Sequence, residues 1–380
     1  MTTVLPSSRV ARDRDVLTLD LVRDEAGFLA LAPYWDALVD QMATRSPFVR
    51  WDWMRLWCEE CGAGAQLAIG VLRDVEGVPR AIAPLMLARE NDSARRHLVT
   101  LAFLGGFGDA HGERLDFIVP AGCEDDLAPR LCEVFALLCD ECDIVRLSFL
   151  PQESGNTPHI LAALERTFIR AGVLNRHPSR LITLPSTWEE IEARHSAGWR
   201  SNLRRRSKAF TSRHMQGWPE RAFDELCRLH ACHFPAEVSS FATAASLRFH
   251  RRLAELWMPQ DRAIIPMLEH EGEVAAVMYG FIERGEFFQY QMGWDDSFSR
   301  LSPGRVMLRA CILEAIHRGL HTFDMLAGEY EYKRQWSDAT RWLLDLEAHS
   351  PSSWRATTFH ALRSMRRRFS FNPLPETLAA

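Results

Sequence analysis

The sequence predicts a mixed α/β (α+β) protein of two domains, each a largely antiparallel sheet flanked by helices. Its 380 residues exceed one small domain and suit two of ordinary size. Both halves read strand, turn, strand, strand, helix, strand. In the second half, runs 263–268, 274–282 and 287–294 are joined by His270-Glu271-Gly272-Glu273 and Glu283-Arg284-Gly285-Glu286, both good hairpin turns.

Hydrophobic residues at 47% and charged residues at 25% describe a globular chain with ample core. A net charge of −5 argues against a protein that coats DNA. Residues 1–18 are polar and read as a frayed or edge extension without a signal-peptide core. No run reaches membrane-spanning length, so a cytoplasmic location is expected. Cys58-x-x-Cys61 and Cys139-x-x-Cys142 invite a zinc reading, but both lie in helix-like runs without knuckle glycines, and no metal site is expected.

In the first half, expected as a domain over 19–175, residues 26–42 place Phe28, Leu31, Trp35, Leu38 and Val39 at helical spacing. Trp53, Leu56 and Trp57 share a face of the next helix. Strands are expected over 67–72, 81–87, 98–103, 115–119 and 144–150, and helices over 127–142 and 157–171. The loop Gly105-Gly106-Phe107-Gly108-Asp109 lacks the Lys-Ser/Thr of a phosphate loop and reads as lining a substrate cleft. Asp109 is a candidate substrate contact, as is His111, which is also a candidate base.

The second domain is expected over 176–350. A strand over 180–184 leads to Thr187-x-x-Glu190, a capping-box pattern. The next helix carries Arg200, Arg204, Arg205, Arg206 and Lys208 with no acid among them. Arg200 and Arg204 lie one turn apart and make a candidate face for phosphate or carboxylate groups. Helices over 223–233 and 244–257 precede the meander. Helix 305–318 follows Ser302-Pro303-Gly304, and strands 321–326 and 340–347 close the domain.

That last stretch organises the chain. Amides at a helix start are unpaired and face the positive end of the helix dipole, so the turn Ser302, Pro303, Gly304, Arg305 is the candidate site for donor phosphates. Pro303 removes one amide from it. Lys333 follows Tyr332 after the Gly328 loop at a strand end, where open α/β sheets place ligand contacts. With Asp324, read as holding a turn, they form the candidate catalytic group; Gly328 and Glu329 flank it as substrate contacts. Residues 351–380 read as a basic amphipathic docking helix and tail.

Ser302-Pro303-Gly304, Gly319, Asp324, Gly328 and Tyr332-Lys333 together resemble the signature of the CelD-like, cellulose-biosynthesis group of GNAT-like acyltransferases, relatives of the FemAB aminoacyl transferases. Met325 and Ala327 depart from the usual Phe and Arg. The resemblance implies two GNAT-like domains joined near 172–187, with Lys333 at the donor and substrate site. It also implies acyl transfer from acetyl-CoA or another acyl-CoA to an amine or hydroxyl of a small molecule or envelope or polysaccharide precursor. Aminoacyl-tRNA as donor is the alternative; the net charge and the lack of a coiled-coil insertion count against it. A non-catalytic polysaccharide-biosynthesis binding protein on the same fold is the third reading.

Overall fold

The structure, a computed structural model, describes residues 17–89, 97–108, 110–213, 220–233 and 239–360. Residues 1–16 of the expected extension, Asp109, and residues 361–380 of the expected tail lie outside the described residues, while 354–360 are helical.

In chain order the first half comprises β1 (Thr18–Val22), α1 (Glu25–Leu29), α2 (Ala32–Val39), α3 (Trp51–Glu60), β2 (Gln66–Leu67), β3 (Ile69–Arg73), β4 (Pro79–Ala83), β5 (Leu85–Ala88), β6 (Thr100–Phe103), α4 (Glu124–Leu131), α5 (Val134–Leu138), β7 (Ile144–Pro151) and α6 (Asn156–Thr167). β8 (Ile169–Thr183) leads into α7 (Trp188–Ala193), α8 (Ala197–Ser207), β9 (Thr211–Arg213), α9 (Glu220–Ala231), α10 (Ala244–Trp257), β10 (Ala263–Ile264), β11 (Met267–His270), β12 (Glu273–Glu283), β13 (Glu286–Trp294), α11 (Pro303–His317), β14 (Thr322–Ala327), α12 (Glu331–Trp336) and β15 (Ala339–His349).

Several expected elements change shape. The helix expected over 26–42 divides because Pro33, which has no amide hydrogen, restarts it as α2. The helix expected over 127–142 starts earlier, on the acidic Glu124, Asp125 and Asp126 that suit a helix start, and divides into α4 and α5. The strand expected over 115–119 is a single bridge, Ile82 to Ile118. Asp116 there is turned inward and engages Ser154, Asn156 and its neighbour's amide, Phe117 N. The expected capping box at Thr187 differs too: its hydroxyl donates to the Glu190 carboxylate at 2.9 Å instead of accepting a backbone N–H.

Among the described residues twelve strands form one sheet in the order β2-β5-β6-β7-β15-β8-β14-β13-β12-β11-β9, with β10 also on β12; β1, β3 and β4 form a second, smaller sheet. Each half contains one parallel pair with a helical crossover, β6 with β7 and β13 with β14. The halves then exchange their last strands. β8 pairs with β14 of the second half, and β15 returns to pair with β7 of the first, while β8 and β15 pair with each other along most of their length. The expected boundary at 175/176 falls inside β8, and 339–349 lies beside the first half.

Side-chain alternation along β12 puts Val277, Tyr279 and Phe281 against α9 and α10, and Ala276 and Met278 against α11. Gly293 lets α9 sit on β13: an added Cβ would lie 2.5 Å from the His230 amide nitrogen. On the first face Trp53 packs edge-on against Phe48, Phe249 and Phe281, uniting α3, α10 and β12.

Candidate functional site

The parallel pair β13/β14 is short. Glu286, Phe287 and Phe288 pair with Thr322, Phe323 and Asp324, and beyond them the strands diverge. The gap that opens is flanked by Gln289 and Tyr290 on one side and Leu326 and Ala327 on the other. Unpaired strand edges present amide and carbonyl groups that an extended, amide-bearing chain can meet.

Asp324 marks the point of divergence. It is fully buried; its Oδ1 accepts from Ser179 Oγ at 2.5 Å and from Leu326 N at 2.8 Å, and Arg341 Nη1 lies 3.5 Å from Oδ2. The Asp324 side chain thus holds Leu326 in a left-handed turn (φ 57°), a conformation costly for a branched residue. Gly328 continues the turn at φ 115°, and a Cβ there would meet Tyr330 at 2.7 Å. The chain then winds into α12, a six-residue helix the sequence reading lacked.

α12 turns Lys333 back over the strand end. Its Nζ donates to Leu326 O at 3.1 Å and Ala327 O at 2.7 Å, and only 5% of the residue is exposed. The sequence placed Lys333 among ligand contacts at a strand end; it is there a buried, anchored charge, with one N–H beyond those two bonds. Burial pushes its pKa down to about 8 against the pull of Glu113, Asp324 and Glu329. Tyr332 accepts from Gln289 Nε2 at 3.4 Å across the gap, and burial pushes its phenol up to about 12. Glu329 is engaged by Arg180 at 2.7 Å.

The loop after β6 reaches the same point from the first half. Glu113 Oε2 accepts the Ala327 amide at 2.7 Å. Burial raises the Glu113 pKa, opposed by that amide and by the charge of Lys333. Tyr290 Oη on β13 donates to His111 O at 3.3 Å, fixing the loop to the second half. The His111 ring stacks on Phe149 with centroids 5.5 Å apart, and its Nδ1 is 3.1 Å from Gly108 O. The sequence reading singled out His111 and passed over Glu113. A carboxylate two residues beyond a candidate base, in the same Gly-rich loop, was the available signal.

The start of α11 differs from expectation in detail. Ser302 is left-handed (φ 52°), Pro303 has no amide hydrogen, and the Arg305 and Val306 amides both turn back to Ser302 O. At most the Gly304 amide remains for a ligand. Gly304 itself faces the Trp294 ring, which an added Cβ would approach to 3.5 Å. Side chains supply the charge. Arg206 donates to Ser302 Oγ, and Arg305 Nη2 donates to Gln335 at 2.7 Å. Arg204 instead pairs with Glu192, and Arg200 donates to His195 O at 3.3 Å. Within the basic helix, Arg206 meets the turn; Arg200 and Arg204 are engaged with the segment before it.

The described residues contain no group of three or more His, Cys, Asp or Glu able to hold a metal ion. No helix among them is long and apolar enough to cross a membrane.

Residues 197–334 match the family described as an acetyltransferase (GNAT) domain. No curated protein matches the chain. Among solved structures, FemX superposes with a TM-score of 0.60 at 9% identity, covering 87% of this chain and 98% of that one. A tandem GNAT protein from the clavulanic acid biosynthesis pathway gives 0.51 at 13% identity, covering 88% and 100%. L-PGS from Bacillus licheniformis gives 0.50 at 11%, covering 88% and 96%. The chain therefore has a tandem GNAT-like fold related to that of the FemAB proteins.

Proposed function

We propose that the chain is an acyltransferase that moves an acyl group from an acyl-CoA donor to an amine or hydroxyl acceptor. The observation that carries this reading is the meeting of Glu113 and Lys333 at the mouth of the β13/β14 gap, where a carboxylate of raised pKa stands beside an anchored cation. The acetyltransferase domain match over 197–334 supports it. The tandem GNAT neighbour is described without AcCoA, which makes acetyl-CoA the first donor to try.

A thioester supplies an electrophilic carbonyl. In this reading Arg206 and Arg305, beside the start of α11, meet the donor phosphates, and the diverging strand edges meet an amide-bearing arm. Glu113 takes the proton of the attacking amine or hydroxyl; burial raises its pKa, which makes it a stronger base than an ordinary carboxylate. Lys333 directs its remaining N–H at the developing oxyanion. Asp324, Gly328 and the left-handed Leu326 act on the turn that aims Lys333. Such a donor places the reaction in the cytoplasm, with a small molecule or envelope precursor as acceptor.

The exposed basic helix favours a second reading, a charged tRNA as donor; the Arg204 side chain is 61% exposed. Thermal unfolding with a panel of acyl-CoAs and charged tRNA separates the two. A ligand at a hundred times its Kd stabilises by about 2.7 kcal/mol. Stabilisation by acyl-CoAs is expected, and stabilisation by charged tRNA alone would replace the donor.

A further inference from the structure

We infer that His177, held by Asp345, is a second proton acceptor beside the Glu113 site, and that the acyl acceptor is an amine arriving as an ammonium ion. The step rests on the acyl-transfer reading; the His177–Asp345 pair stands on its own geometry.

His177 is on β8 and Asp345 on β15, the two strands that the halves exchange. Asp345 is 4% exposed, and its carboxylate meets three donors. Oδ1 accepts the Phe149 amide at 3.1 Å, Oδ2 accepts Asn175 Nδ2 at 3.0 Å, and His177 Nε2 lies 2.8 Å from Oδ2. Burial pushes the Asp345 pKa up, but the bonds from Asn175 and His177 hold it below the ordinary range. The carboxylate is then ionised at neutral pH and only accepts, so Nε2 of the neutral imidazole carries the hydrogen. Nδ1 keeps its lone pair, has no hydrogen-bond partner among the described residues, and is open to solvent. When Nδ1 takes a proton, the carboxylate behind Nε2 stabilises the imidazolium.

Strand order brings the pair to Glu113. β7, β15, β8 and β14 are successive neighbours in the sheet and carry Phe149, Asp345, His177 and Ala327. Ala327, whose amide Glu113 accepts, pairs with Ser179 on β8. His177 lies two residues from Ser179 in an unbroken stretch of the ladder, on the same face and about 7 Å along the strand. The loop that carries Glu113 spans these strands. The His111 ring stacks on Phe149 at 5.5 Å, and two residues on, Glu113 reaches Ala327. The Phe149 ring in turn meets the His177 ring at 5.1 Å. His177 is therefore on a strand between the two contacts of the loop. Around the imidazole, Asp345 stands behind Nε2 and His111 lies beyond the Phe149 ring. Arg341, opposite Ser179 in the ladder, donates to Glu286 at 2.7 and 2.9 Å.

Two proton acceptors at one site suit a substrate with two protons to lose. An alkylamine is an ammonium ion at neutral pH, with no lone pair to attack with. It loses one proton before attack and another once its nitrogen is bonded to the acyl carbon, whereas a hydroxyl has only one to lose. His177 Nδ1 takes the first proton. The freed nitrogen bonds to the acyl carbon, the second proton passes to Glu113, the C–S bond breaks, and the thiolate leaves with the electron pair. One proton returns to the thiolate and the other goes to solvent. An acceptor that arrives neutral gives His177 no proton to take, and its pH profile reports Glu113 alone.

Thiol release from acetyl-CoA by the full chain, with ethylamine and trifluoroethylamine as acceptors, tests the step. At neutral pH the first is an ammonium ion, and the second, with its electron-withdrawing fluorines, is a neutral amine. Gln at position 177 keeps an amide N–H for Asp345 and has no basic nitrogen. His177→Gln should therefore lower kcat/KM about tenfold or more with ethylamine and less than about threefold with trifluoroethylamine. Its melting temperature and acetyl-CoA affinity should be unchanged. Equal losses with both amines would give His177 a shaping role and overturn the step, as would wild-type rates with both. Acetyl-CoA binding without thiol release to either amine would overturn the amine assignment. Nitrogen NMR of the wild type should show the His177 hydrogen on Nε2 and none on Nδ1; the opposite tautomer would overturn the pair. Failure of every acyl-CoA to bind, with that tautomer in place, would instead remove the acyl-transfer reading.

Discussion

The Glu113 carboxylate and the Ala327 amide, 214 positions apart in the chain, are joined by a 2.7 Å hydrogen bond. That bond brings the Gly-rich loop of the first half onto the strand end that carries Lys333. The proposed site therefore belongs to neither half alone. The exchange of β8 and β15 makes such a joint centre stable, because the two halves share one continuous sheet.

Separated halves should not fold. A fragment of residues 17–167 lacks β15, the strand that covers one edge of β7, and exposes an unpaired ladder. Circular dichroism of the fragment should show no cooperative melting, whereas an independent first domain would melt sharply.

Lys333→Met should lower stability as well as turnover, since two buried carbonyls lose their donor. The loss expected is about 1–3 kcal/mol by urea unfolding. pH adds a second signature. The folded pKa, about 8, lies below the ordinary 10.5, so burial of the charge opposes folding in full below about 8. That opposition is relieved as pH rises toward 10.5. Wild type should gain stability relative to Lys333→Met across that window; a constant difference would place Lys333 outside the buried cluster. If its charge meets the oxyanion, turnover falls as pH rises through about 8.

Gly328→Ala should cost more than Gly272→Ala. Both positions have positive φ, 115° and 87°, but only at Gly328 would a Cβ collide, with Tyr330 at 2.7 Å. Strain at positive φ costs on the order of 1–3 kcal/mol in each case, and the collision adds to it at Gly328. Equal unfolding midpoints would mean that Tyr330 moves aside freely.

Arg206→Met should weaken acyl-CoA binding tenfold or more, and Arg204→Met should weaken it less. Arg206 meets Ser302 at the start of α11, whereas Arg204 pairs with Glu192. Titration calorimetry with acetyl-CoA decides; the reverse order would move the donor site to the Arg200/Arg204 face.

Much of the fold was legible because alternation and turn chemistry coincide in the second half. The hairpins at Gly272 and Gly285, and the helix between Ser302 and Gly319, follow local rules. The strand expected from 180 is the end of β8, which starts eleven residues earlier at Ile169: its first half is largely exposed, so alternation fades, and Gly172 and Pro178 read as breakers. What sustains it is β15, from a distant part of the chain. The site shows the same division. Tyr332, Lys333 and Asp324 were singled out by their motif. Glu113 and the anchoring of Lys333 were not, because both depend on contacts between remote segments and on α12, a helix too short to show periodicity.

In the proposed reaction Glu113, from the first half, serves acyl transfer in the second. Release of free thiol from the acyl-CoA that binds best, with a mixture of small amines and alcohols as acceptors, tests it most directly. Gln at position 113 still accepts the Ala327 amide, so Glu113→Gln should keep its melting temperature and donor affinity. Its turnover should fall by about 10²-fold or more, the range for a lost general base. The acid limb of the wild-type pH profile, set above the ordinary carboxylate range by burial of Glu113, should vanish with it. Thiol release by Glu113→Gln at the wild-type rate, with the acid limb intact, would contradict the account.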